Sequence, residues 1–220
     1  MPSGVIFDMD GVLVDSMEAH LESWMELGRR YRLEISRDVF HDTFGRAGRD
    51  IVRMMWGEGI DASAVHARVA EKESIYRDRI RGAAPLMPGV REVVADLHDA
   101  GFRLAVGTSG PIENVQLILT EAGIGDRFQG VVTGFDVERG KPAPDVFLLA
   151  ASRLELGPER CAVVEDAPVG VEAAVAAGMP AVGLAGMHSR EALRAAGAAR
   201  AVASLDEITP DVIANLLEEG

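Results

Sequence analysis

Short apolar runs recur along the chain, each followed by a stretch of helix-forming residues. Val5-Ile6-Phe7 is the first run. Leu104-Ala105-Val106, Val131-Val132, Ala162-Val163-Val164 and Ala181-Val182-Gly183-Leu184 follow, with Ala201-Val202 as a weaker example. Runs with so little polar alternation suit strands buried on both faces. The Ala-, Leu- and Glu-rich stretches between them predict helices over Val90–Ala100, Ile112–Ala122, Asp145–Leu154, Gly170–Ala177 and Glu191–Ala196. Gly101, Gly123, Gly178 and Gly197 stand where such helices end. Strand–helix alternation of this kind predicts an α/β fold, a parallel sheet with helices on both faces.

One segment breaks the rhythm. From about Asp15 to Ala84 only helices are predicted: Ser16–Tyr31, Ser36–Phe44, a stretch around Asp50–Met55, and Ala62–Arg81. Both tryptophans, Trp24 and Trp56, lie there. Pro85-Leu86-Met87-Pro88-Gly89 closes the segment, and the alternation resumes. The expectation is a core of residues 1–14 and 85–220 with a helical unit, 15–84, inserted after the first strand.

Length fits this division, since 220 residues is roughly one and a half ordinary domains. Charge narrows the partners. With 22 Lys and Arg against 35 Asp and Glu, the chain carries a net charge of -13. That argues against a broad basic face for nucleic acid or an anionic membrane surface. The single cysteine, Cys161, permits no intrachain disulfide and reads as a small buried hydrophobe. Met1-Pro2-Ser3-Gly4 has no basic stretch, so no secretory signal is expected. No apolar run approaches the ~18 residues of a membrane span. A cytoplasmic monomer is the resulting expectation.

Candidate chemistry gathers at the strand ends. Phe7-Asp8-Met9-Asp10-Gly11 places two carboxylates after the first apolar run, and open α/β sheets bind ligands beyond the carboxyl ends of their strands. Two acids there repel unless a cation or a shared proton relieves them. One could attack a phosphoryl group while the other handles a proton; a lone D-x-D also fits a solvated turn. Gly107-Thr108-Ser109-Gly110 ends the second run with hydroxyls and backbone N–H groups able to hold phosphate oxygens. Helix capping is the plainer reading of that segment. Gly140-Lys141-Pro142 pins a cation between residues of restricted or unusual backbone freedom. Glu165-Asp166 ends another buried run. Asp166, with Asp8 and the backbone carbonyl of Asp10, would offer the oxygen-only site that Mg²⁺ prefers.

Together, D-x-D-G, the strand-end hydroxyl, G-K-P and E-D resemble the haloacid dehalogenase-like hydrolase superfamily, in that family's order and over nearly the whole chain. The resemblance implies a Rossmann-like three-layer α/β/α core. It implies Asp8 as the nucleophile that forms an aspartyl-phosphate, and Asp10 as general acid and base. Thr108 would bind the phosphoryl group, with Ser109 and Gly110 beside it, and Lys141 would screen charge. Asp166 would ligate Mg²⁺ with Asp8 and Asp10, and Glu165 would be a ligand or a partner of one.

The position of the helical insertion, Gly11-Val12-Leu13-Val14-Asp15-Ser16 and His20 resemble the β-phosphoglucomutase-like subgroup with its helical cap. On that resemblance His20 would position Asp10, and Arg49 and Lys72 would meet the distal part of the substrate. Arg49 could equally pair with Asp50, and Lys72, between Glu71 and Glu73, could lie on a solvated face. The charge division fits a lid over an anion: residues 15–84 hold 12 basic and 13 acidic side chains, the rest 10 and 22. Three functions follow. The first is a Mg²⁺-dependent phosphatase of a small phosphorylated metabolite, in particular a sugar phosphate. The second is a phosphomutase, and the third a non-catalytic binding protein on the same fold.

Overall fold

The computed structural model describes residues 2–43 and 46–219. Six strands, β1 (Gly4–Phe7), β2 (Arg103–Gly107), β3 (Phe128–Val132), β4 (Cys161–Glu165), β5 (Ala181–Leu184) and β6 (Arg200–Val202), form one sheet. Its order is β3-β2-β1-β4-β5-β6, and every neighbouring pair is parallel. Each predicted apolar run falls within one of these strands. The strand order reverses direction at β1, which lies between β2 and β4, and such a reversal opens a crevice at the strands' carboxyl ends.

Helices α1 (Met17–Arg30), α2 (Arg37–His41), α3 (Gly48–Trp56) and α4 (Ala62–Ile80) lie between β1 and β2 in the chain. After them come α5 (Val90–Asp99), α6 (Ile112–Ala122), α7 (Asp145–Arg153), α8 (Pro168–Ala176), α9 (Arg190–Ala195) and α10 (Pro210–Glu219). The helix predicted over Ser36–Phe44 is shorter, ending at His41, and Phe44 lies outside the described residues. Among the described residues no helix is long and apolar enough to cross a membrane.

Alternate strand residues point to opposite faces, and this divides the core into two layers. Val5 and Phe7 of β1 pack with Val93, Val94 and Leu97 of α5, Val115 and Ile118 of α6, and Ile213 of α10. Ile6 packs on the other face with Phe147 and Ala150 of α7, Val171 of α8 and Leu193 of α9. The insertion has its own apolar cluster of Leu21, Trp24, Leu27, Phe40, Ile51, Val52, Val65 and Val69. Its longest helix, α4, starts at Asp61, whose carboxylate accepts hydrogen bonds from the Ser63 and Ala64 amides. The C-terminal end of α4 does not stay with the insertion: Tyr76 and Ile80 join the sheet's cluster.

The chain leaves for the insertion and returns from it at one place. Val14 and Leu86 form an antiparallel bridge. The Asp15 amide donates to the Pro85 carbonyl at 2.7 Å, and the Met87 amide to the Leu13 carbonyl at 3.1 Å.

Candidate active site

Strand register brings the motifs together. Phe7 pairs with Val106 on one side and Val164 on the other. One or two residues further on, Asp8, Thr108, Glu165 and Asp166 therefore leave the same edge of the sheet. The backbone turn after β1 is tight: the Val12, Leu13 and Val14 amides all donate to the Met9 carbonyl, and the Gly11 amide donates to the Val14 carbonyl. Gly11 has a φ of 79°, a left-handed conformation that costs glycine little. A Cβ there would also run into the Asp166 carboxylate.

Lys141, on the loop between β3 and α7, is buried between two acids. Its Nζ donates to Asp8 Oδ1 at 2.9 Å and to Glu165 Oε1 at 2.5 Å. It lies 4.9 Å from the ring centroid of Phe147, and its peptide bond to Pro142 is cis. The other oxygen of Glu165, Oε2, accepts from the Ala167 amide at 2.8 Å. Gly170 leaves the space that the Glu165 carboxylate fills. Burial opposes the Lys141 charge, but Asp8 and Glu165 outweigh it and hold the ammonium above the ordinary lysine range.

Negative charge still exceeds positive. Burial raises the Asp8 carboxyl to about 7, with Glu165 and Asp10 adding to the rise and Lys141 opposing it. Asp166 is pushed well above the usual carboxylate range by burial, Glu165 and Asp8. Ligand oxygens of Asp8, Glu165 and Asp166 lie within 4.8 Å of one another, and all three residues are buried. An oxygen-only set in which Asp8 and Asp166 both resist ionisation fits a divalent cation, which supplies the missing charge.

Asp10 faces the insertion. His20 Nε2 donates to its Oδ1 at 2.9 Å, and the imidazole stacks on Tyr76 with ring centroids 3.9 Å apart. Lys72 Nζ lies 2.5 Å from His20 Nδ1. An ammonium only donates, so Nδ1 accepts and the ring carries its proton on Nε2. Burial opposes ionisation of Asp10, but its interaction with His20 prevails and holds the carboxyl below its ordinary value. On the opposite wall Thr108 is buried, and its Oγ1 accepts from the Gly110 amide at 3.1 Å. Pro111, not Thr108 or Ser109, precedes the helix, and no side chain caps it.

The cavity above Asp8 is lined from the sheet by Asp8, Asp10, Thr108, Ser109 and Gly110. From the insertion it is lined by His20, Trp24, Phe40, Arg46, Lys72 and Glu73. Arg49 is placed elsewhere. Its guanidinium donates to the carbonyls of Glu138 at 2.9 Å and Gly134 at 3.4 Å, on the loop that carries Lys141. It also lies 3.9 Å from Asp50. Lys72 is buried rather than solvated, and bonds Glu73 Oε1 at 2.9 Å. Sequence reasoning missed Glu73, Trp24, Phe40 and Arg46. For Glu73 a signal exists: Val65, Val69, Tyr76 and Ile80 mark one face of α4, and positions 72 and 73 fall within that stripe.

Known proteins resemble this chain in sequence and fold. The fructose-1-phosphate phosphatase of Escherichia coli is 35% identical over 185 residues, covering 82% of this chain and 95% of the relative. The β-phosphoglucomutase of Bacillus subtilis is 31% identical over 188 residues, covering 82% of each. The crystal structure of β-phosphoglucomutase from Clostridium difficile superposes with a TM-score of 0.87 at 23% identity, over 100% of this chain and 98% of that one. Residues 2–178 match the family model for haloacid dehalogenase-like hydrolases. With the aspartates, lysine and acidic pair gathered at one sheet edge, the chain belongs to the haloacid dehalogenase-like hydrolase family.

Proposed function

We propose that this protein is a Mg²⁺-dependent phosphatase that hydrolyses a small phosphorylated metabolite, a sugar phosphate, through an aspartyl-phosphate. One observation carries the reading: Asp8 is fixed by Lys141 at the mouth of the central crevice, with Asp10 beside it under separate control from His20. Residues 1–14 and 85–220 are the catalytic core, and residues 15–84 are the cap.

In the first step an Asp8 oxygen bonds to phosphorus while the bond to the ester oxygen breaks. Asp10 gives its proton to that oxygen, and the alcohol leaves. The incoming phosphate is itself anionic, and a like charge nearby favours the protonated form of Asp10. In the second step water bonds to phosphorus, Asp10 takes the water's proton, and the bond to Asp8 breaks to free inorganic phosphate. Thr108, Ser109 and Gly110 hold phosphoryl oxygens, and Lys141 keeps Asp8 aimed and partly neutralised. Asp8, the Asp10 carbonyl and Asp166 would hold Mg²⁺, with Glu165 serving mainly to anchor Lys141. The ion supplies positive charge to the phosphoryl oxygens. Lys72 and His20 present the cap to the substrate. Arg49 reaches the substrate's distal end only by releasing its two carbonyls.

The Bacillus subtilis relative supports a second reading, transfer of the phosphoryl group to a sugar instead of water. A panel of sugar phosphates with Mg²⁺, including β-glucose 1-phosphate with a bisphosphate primer, separates the two. Release of inorganic phosphate is expected; glucose 6-phosphate formed without it would establish the mutase. Asp8→Asn should lower turnover by at least about 1,000-fold, and EDTA should abolish it. Retained activity in either case removes that part of the reading. The reading includes a cytoplasmic monomer, and sedimentation tests the oligomeric state.

A further inference from the structure

Asn114 belongs to α6, on the core side of the cavity, and the chemistry above does not use it. It is fully buried. Its Nδ2 donates to Glu73 Oε2 at 2.7 Å, and its Oδ1 accepts from Arg77 Nη1 at 2.9 Å. Glu73 Oε1 in turn accepts from Lys72, Lys72 donates to His20 Nδ1, and His20 Nε2 donates to Asp10. The bonds run from Asp10 on the core, through His20, Lys72 and Glu73 on the insertion, and back to the core at Asn114.

A neutral amide suits the far end of this path. It donates to a carboxylate and accepts from a guanidinium at once, which neither a leucine nor an ionised aspartate can do. Glu73 is buried, and burial opposes its charge, yet Lys72 and Asn114 hold its carboxyl below the ordinary value. Without Asn114 one oxygen of Glu73 would face no donor in a water-poor site, an arrangement that costs enough to move the side chain. Lys72 shares that carboxylate, so it would move too, and His20 would lose the contact that fixes its tautomer.

We propose that Asn114 is a positioning residue for the leaving-group proton. It holds Glu73, and through it Lys72 and His20, so that His20 meets Asp10 only when the cap is seated on α6. This rests on the reading of Asp10 as general acid, and it predicts a loss that depends on the leaving group. Acetyl phosphate releases a carboxylate, which needs no proton; a sugar phosphate releases an alkoxide, which does.

The experiment compares kcat/KM on these two esters with Mg²⁺ present. Asn114→Leu should lower the value for the sugar phosphate by about 10-fold or more and that for acetyl phosphate by about 2-fold. Asn114→Asp keeps the size of the side chain and serves where the leucine variant fails to accumulate; the same selective loss is expected. Adding Glu73→Gln to either variant should cause little further loss, since both act on one path. Equal losses on the two esters, or fully additive losses in the double variant, would overturn the role of Asn114 while leaving the phosphatase intact. Absence of turnover of both esters by the wild-type protein would overturn the phosphatase reading and the role of Asn114 with it.

Discussion

Asp8 has two obligations that conflict. As the proposed nucleophile it must be ionised, yet in the metal-free protein its carboxyl is raised to about 7 from 3.8. A folded state that keeps a proton which the unfolded chain has lost is destabilised as pH rises between those values. Asp166 adds to the effect in the same direction. A divalent cation bound to the ionised carboxylates reverses it, because cation and proton compete for the same oxygens. The gain in Tm from added Mg²⁺ should therefore grow from pH 5.5 to pH 8. Differential scanning calorimetry in EDTA and in Mg²⁺ measures it, and a gain that is flat or shrinks with pH would count against the acidic site. Much of this chemistry was legible in the residues. Asp8, Lys141 and Asp166 announce themselves through short motifs at strand ends. Glu73 was marked only by its place in the apolar stripe of α4, and Asn114 not at all, because a polar residue within a helix reads as solvated until a neighbouring helix covers it.

Among the elements, the sheet was the most legible. Strands buried on both faces have no polar positions to blur them, so β1, β2, β4 and β5 stand out as unbroken apolar runs. Helix α10 carries an equally readable pattern, with Thr209 accepting from the Val212 amide, Pro210 at its start and Ile213 buried. It lies beyond the last apolar run, and strand–helix alternation alone does not reach it. Helix α2 is only five residues long, too short for periodicity to set its end. Helix α7 links packing to chemistry. Phe147 is fully buried beneath the sheet, fits against Gly107, and presents its ring to Lys141. Phe147→Ala should destabilise the protein by about 3–5 kcal/mol in urea unfolding. It should also lower kcat by removing the floor on which Lys141 rests. A loss below about 1 kcal/mol would show that the site collapses around the missing ring.

At the scale of the molecule, insertion and core meet along a seam. The Val14–Leu86 bridge joins them at one side, and side chains fasten the rest. On one flank Asn114 bonds Glu73 and Arg77; on the other Arg49 bonds the loop ahead of Lys141. The charge division anticipated a lid over an anion, but not that its cations nearest the core would be engaged by the protein itself. Arg49, Lys72 and Arg77 all have protein partners. Arg49→Ala should speed hydrogen exchange of the amides in 134–141 by roughly 10-fold, the loss of about 1.4 kcal/mol from a charged donor. Unchanged exchange would show that the loop holds its shape alone.

The central position of β1 also governs the order in which the chain assembles. Its partners, β2 and β4, begin at Arg103 and Cys161, so β1, synthesised before either, waits for both. Helices α1 to α4 are synthesised during that wait, and most of their apolar cluster is their own. Local contacts form faster than distant ones. The insertion is therefore expected to collapse first and hold Leu13 and Val14 near Leu86 and Met87. That shortens the loop the core must close before β2 docks. The segment read as a lid for catalysis would then serve during synthesis as a tether, shielding the strand that carries Asp8 until its neighbours arrive.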